Sequence, residues 1–126
     1  MSDNDQAVVL YVMTHGVDEP KRCATPFYLA AAAAAMDADV SIYFTMNGPT
    51  LLQRGVGRRI GPKGERGEKL DHFIGQALDC GVKLLVCQPS LDLNDLALDD
   101  LIEGVRMIGG AAFNDMAIEA DTVISF

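Results

Sequence analysis

The chain has 126 residues, 49% of them hydrophobic and 22% charged, which is ordinary globular usage and enough for one domain with one core. A formal net charge of −8 leaves little affinity for phosphate backbones, so DNA and RNA are not expected partners. Three cysteines, Cys23, Cys80 and Cys87, make an odd count that argues against a disulfide framework and leaves thiol chemistry open.

The acidic, polar start from Met1 to Gln6 lacks the basic and apolar regions of a secretory signal. The longest apolar stretch, Tyr28 to Met36, is far shorter than the ~20 residues that span a bilayer. A cytoplasmic protein with no membrane segment is expected. Ala7 to Met13 is a continuous apolar, β-branched run ending at Thr14, His15 and Gly16, as in a parallel strand buried on both faces. Thr25 to Met36 predicts a helix, with Thr25 as N-cap, Pro26 in the first turn and an alanine run that suits burial against a sheet or a neighbouring subunit. Val40 to Thr45 predicts the second strand, closed by Asn47, Gly48 and Pro49.

Residues 53–67 hold five glycines, one proline and five of the ten basic residues, and read as an exposed, mobile loop. Leu70, Phe73, Ile74, Ala77 and Leu78 recur at helical spacing and predict a helix over 67–80 with Gly81 just past its end. Val82 to Cys87 is a third apolar strand that Pro89 stops. A short helix over 95–103, a strand over 105–108, a helix over 111–119 and a strand over 122–126 complete a βαβαβαβαβ order. That order predicts an α/β fold of three layers, α/β/α, around a mostly parallel five-stranded sheet. The order of the strands in the sheet is not readable.

In open α/β sheets, reacting groups gather beyond the carboxyl ends of the strands, where this reading places Cys87. The segment from Gln88 to Asp95, with Gln88 and Ser90, supplies polar groups and backbone N–H donors able to stabilise a thiolate or persulfide. For a lone cysteine the commoner role is a small buried hydrophobe ending a strand. Cys23 follows the first strand and is a candidate second thiol on the same rim. Cys80 ends a helix, where the dipole opposes ionisation, and is expected to be structural. His15, in the turn after the first strand, is a candidate for charge balance. With no Cys-x-x-Cys and no histidine pair at ligand spacing, no metal is expected. The glycine cluster fits neither phosphate-binding fingerprint, and no Gly-x-Ser-x-Gly elbow exists to support hydrolase chemistry.

Gly81 to Leu91 around Cys87, Asp100 to Val105 and Ala120 to Phe126 together resemble the DsrE/DsrF-like (DsrEFH) sulfur-transfer family. Thr14 to Gly16, Pro26 and Phe27, Ser41 to Gly48, and Leu51 and Leu52 extend that similarity over nearly the whole chain. The resemblance implies trimeric or hexameric assembly, or hetero-oligomers with related subunits, and no organic cofactor. It also implies that Cys87 accepts sulfane sulfur as a persulfide and exchanges it with rhodanese-like or TusA-like proteins, in sulfur oxidation or tRNA thiolation. Cys23 and Cys80 depart from the family pattern. Two other readings stand beside the carrier: a structural or small-ligand-binding subunit of the same fold, and a redox sensor pairing Cys87 with Cys23.

Overall fold

A computed structural model describes residues 6–126; the acidic segment before Gln6 lies outside them. Five strands, β1 (Val8–Met13), β2 (Asp39–Phe44), β3 (Lys83–Cys87), β4 (Arg106–Ile108) and β5 (Thr122–Ser125), form one sheet in the order β4-β3-β2-β1-β5. Every pairing is parallel. Four helices connect them: α1 (Thr25–Ala35), α2 (Leu70–Asp79), α3 (Gln88–Leu93) and α4 (Gly110–Glu119). Among the described residues, no helix is long and apolar enough to cross a membrane.

Strand alternation divides the side chains between two unequal layers. Tyr11, Met13, Val40, Ile42, Phe44, Leu84 and Val86 point to one face, where they pack with Phe27 and Ala30 of α1 and with Leu70, Ile74 and Ala77 of α2. Leu10, Tyr43, Leu85 and Cys87 point to the other, against Phe113, Met116 and Ala117 of α4. The imbalance follows from strand order and handedness. The three steps from β1 to β4 move in one direction, so right-handed crossovers place their connections on one face. Only the return from β4 to β5 crosses the opposite face, leaving α4 alone to cover it.

Strand and helix bounds follow the sequence patterns closely, with four corrections. Thr25 is the first helical residue of α1 and Ala24 the N-cap, with no side-chain cap; Pro26 fills the first turn as expected. α1 is buried along one side only, through Pro26, Phe27 and Ala30, whereas Tyr28 and Met36 are exposed. Its alanines are small, but a helix lying on a sheet still turns one side to solvent. Residues 53–67 form a succession of turns with Val56, Gly57 and Gly61 buried. The expected helix over 95–103 is only a 3-10 turn at Leu98–Asp100, because Asp95 takes a left-handed backbone (φ 54°) and the Asp100 carboxylate accepts the Ala97 N–H at 2.8 Å. The helix nearby is α3, seven residues earlier in its start than the one expected and directly after Cys87.

Candidate functional site

Cys87 is the last residue of β3 and the N-cap of α3, with Pro89 in the helix's first turn. The chain therefore turns sharply at the thiol, and Ser90, one turn along, folds back over it. The Cys87 thiol donates to Ser90 Oγ at 2.7 Å, and Thr45 Oγ1 lies 3.5 Å from the sulfur. Ser90 Oγ also accepts the Met46 N–H at 2.8 Å and shares a 3.0 Å hydrogen bond with Thr45 Oγ1. The Tyr43 side chain lies on the same face and favours the thiolate, its ring packed on Phe113 with centroids 4.2 Å apart.

Thr45 and Met46 reach Cys87 because β2 and β3 are parallel neighbours in which Phe44 stands beside Val86, so the next residue of each strand continues side by side. Three contacts fix the loop after β2. Met46 adopts a left-handed backbone (φ 53°). The Asn94 amide donates to both Met46 O and Ser90 O at 2.7 Å, tying that loop to the end of α3. Gly48 packs against β1 so closely that a Cβ there would come within 2.4 Å of Met13 O.

Burial pushes the Cys87 thiol up, since only 8% of the residue is exposed, but hydrogen bonds from Ser90, Thr45, Tyr43 and the Ser90 N–H outweigh it. The net result is a thiol held below the ordinary cysteine range. Tyr43 shifts the opposite way: burial, its hydrogen bond to Cys87 and the charge of the thiolate all favour the neutral phenol. It remains a donor throughout the range in which Cys87 ionises. The arrangement is that of a stabilised, sheltered thiolate with no general base required.

The other candidates are placed differently. Cys23 is fully buried among the residues of the opposite face, where burial pushes its thiol up, so it does not share a rim with Cys87. That separation across the sheet removes the basis for a Cys87–Cys23 redox pair. Cys80 is exposed at the C-cap of α2 and is no part of the core. Gln88 faces solvent and donates to Asp92 along α3. His15 sits at the mouth of the first loop, in contact with Glu19, whose carboxylate also pairs with Arg22 at 3.3 Å. No hydrogen bond or ion pair joins His15 to Cys87. Of the residues singled out from the sequence, Cys87 and Ser90 come together.

Tyr43 and Thr45 were not singled out, although a signal for them exists. Strand two alternates Ser41, Tyr43 and Thr45 with Val40, Ile42 and Phe44, so its hydroxyls share one face. Once β2 and β3 are known to be adjacent, that face is the face of Cys87.

Comparison with known proteins rests on the same stretch of chain. A sequence profile of the DsrE/DsrF-like family matches residues 7–126. The chain belongs to the DsrE/DsrF-like family. A relative named sulfur carrier protein DsrE2, from Allochromatium vinosum, is 28% identical over an alignment covering 76% of this chain and 84% of its own. Two solved structures share the fold. The ychN protein of E. coli superposes with a TM-score of 0.76 at 18% identity, covering 96% of this chain and 99% of the other. MTH1491 from Methanobacterium thermoautotrophicum does so with a TM-score of 0.63 at 16% identity, covering 97% and 100%. The fold is therefore shared at identities where sequence alone says little.

Proposed function

We propose that this DsrE/DsrF-like protein is a sulfur carrier that holds sulfane sulfur on Cys87 as a persulfide and passes it to an acceptor thiol. The observation that carries the reading is the ring of hydroxyls around a buried thiol, Ser90 and Thr45 in hydrogen-bond reach and Tyr43 on the same face, which holds that thiol low where burial alone would raise it. A structural cysteine at a strand end needs no such ring. The relative named as a sulfur carrier supports the same role.

In the loading step the Cys87 thiolate attacks the outer sulfur of a donor persulfide R–S–SH. The new S–S bond forms on Cys87 as the donor's S–S bond breaks, and the donor leaves as R–S⁻. Unloading repeats the exchange: an acceptor thiolate attacks the terminal sulfur, and Cys87 leaves as the thiolate it began as. Neither step consumes an oxidant or reductant. The hydroxyl ring stabilises Cys87 both as attacking thiolate and as leaving group, and a lowered pKa speeds its departure.

The test is peptide mass spectrometry of reduced protein after exposure to polysulfide, with Cys87→Ser as control. The expected result is added sulfur on the Cys87 peptide, removed by dithiothreitol and absent from the variant. A Cys87 left unmodified under conditions that load a small free thiol would instead make this a structural or ligand-binding subunit. Loading should also rise with pH and level off before an ordinary cysteine does, because the thiol is held low.

We also infer that copies of this chain or related subunits cover the face left to α4. All-parallel sheets are normally covered on both sides. Here a groove of about 730 Å³, lined by Leu10, Ser41, Leu85, Ile108 and Met116 among others, stays open beside α4. Ile118 of α4 is 80% exposed, and Val123 and Ile124 of edge strand β5 are exposed too. The expected mass in solution is that of an oligomer by light scattering, shifting toward the monomer in Ile118→Glu. A monomeric wild type would refute self-assembly and leave related subunits as the cover for this face.

A further inference from the structure

Positive charge in this acidic chain is unevenly placed. The segment from Gln53 to Lys69 carries six cations against Glu65 and Glu68, leaving four cations and sixteen carboxylates for everything else. It runs from the end of β2 to the start of α2, so it lies at the carboxyl edge of the sheet, the edge at which β3 ends in Cys87. Arg54 and Lys69 are engaged locally, donating to Asp99 O and Gly64 O. Arg58, Arg59, Lys63 and Arg66 are exposed and make no side-chain hydrogen bond or ion pair with a described residue.

These four cations are carried on a fixed scaffold. Gln53 bridges to Leu101, and the Arg54 N–H donates to Asp100 O at 2.9 Å. Val56 is buried, the Asp71 N–H donates to Gly57 O at 2.9 Å, and the Leu70 N–H to Ile60 O at 2.8 Å. Gly57 lies so close to Asp71 that a Cβ there would come within 1.9 Å of its carboxylate. Holding like charges together opposes folding, whereas preorganised cations lower the ordering cost of binding an anionic surface.

We propose that Arg58, Arg59, Lys63 and Arg66 form the docking surface for an acidic patch on the protein that exchanges sulfur with Cys87. The role of that partner rests on the carrier reading of Cys87; the surface itself does not. A compact acidic patch suits the geometry better than a nucleic acid. Asp95, Asp99 and Asp100 follow α3 on the same edge, and they would repel a phosphate chain extended across it. A folded partner can meet four cations and leave those carboxylates in water. Complementary charge of this kind raises encounter rates by about 10–10³-fold and loses that gain as salt is added.

The experiment uses the full chain and a fluorescein-labelled peptide in which glutamates surround one cysteine, with a glutamine counterpart, and reads binding by anisotropy. Wild type and Cys87→Ser are expected to bind the glutamate peptide at least about tenfold more tightly than the glutamine peptide at low salt. The preference should vanish in the combined variant Arg58→Glu, Arg59→Glu, Lys63→Glu and Arg66→Glu. Circular dichroism checks its fold, and Arg58→Gln with Arg59→Gln serves if the reversal is too severe. An unchanged preference in a folded variant would overturn the proposal. So would tighter binding of single-stranded oligouridylate than of the glutamate peptide, which would assign the loop to RNA. In parallel, the persulfidated glutamate peptide should load Cys87 faster than its glutamine counterpart. Binding without any loading would leave the surface standing and sink the carrier reading alone.

Discussion

Ser90→Ala slows sulfur loading of Cys87 about ten- to hundredfold at neutral pH, and alkylation by iodoacetamide slows equally. Ser90 Oγ already accepts the Met46 N–H at 2.8 Å, so its own proton is free to turn to the sulfur when Cys87 ionises. Removing it deletes a hydrogen bond to a charged group, worth about 1.5–3 kcal/mol, and each 1.4 kcal/mol is a factor of ten in the thiolate population. Burial continues to push the thiol up, now opposed by fewer donors, so its pKa rises. The sign of the pH dependence separates this from a folding defect. Alkylation of the variant should recover toward the wild-type rate once the pH exceeds the variant's raised pKa, whereas a collapsed site would stay slow at every pH. A variant as fast as wild type at neutral pH would remove Ser90 from the mechanism.

How far the site could be read from the sequence depends on the kind of contact involved. Cys87 was legible because its place needs only local information: an apolar strand, and a proline two residues on that cannot continue it. Ser90 followed from proximity along the chain. Tyr43 and Thr45 were hidden because their contact with Cys87 depends on β2 and β3 being neighbours in parallel register, and strand order leaves no local trace. Cys23 shows the reverse error. Being close to the end of β1 suggested the rim, but Ala24 and Phe27 beside it are core residues of the opposite face, and Cys23 is drawn in with them.

The helices divide along the same line. α2 repeats apolar residues at helical spacing and is readable from that spacing, whereas α3 is six residues long and begins with a polar glutamine and a proline. Proline in a first turn is compatible with a helix, so Pro89 both ends β3 and starts α3. The stretch from Asp95 to Glu103 reads as a short helix. With the chain already turned by the left-handed Asp95, the Asp100 carboxylate closes a tight turn there instead.

Phe44→Ala should cost about 3–5 kcal/mol of stability, lowering the melting temperature by about 10–20 °C. Phe44 is fully buried at the end of the central strand β2 and stacks on Phe27 of α1 with ring centroids 5.6 Å apart. Its removal leaves a cavity between sheet and helix at a place where both neighbouring strands are held in register, so collapse is poorly available. Urea denaturation should show a lower midpoint with an unchanged slope. Because Phe27 loses the same partner, Phe27→Ala combined with Phe44→Ala should cost clearly less than the two single effects added. The packing bears on the thiol as well. Phe44 turned into one core directs Tyr43 and Thr45 to the other, which is how a purely apolar contact on one face sets the donors that hold Cys87 low on the opposite face. A loss below about 1 kcal/mol would place the centre of the core elsewhere and cut that link between packing and sulfur chemistry.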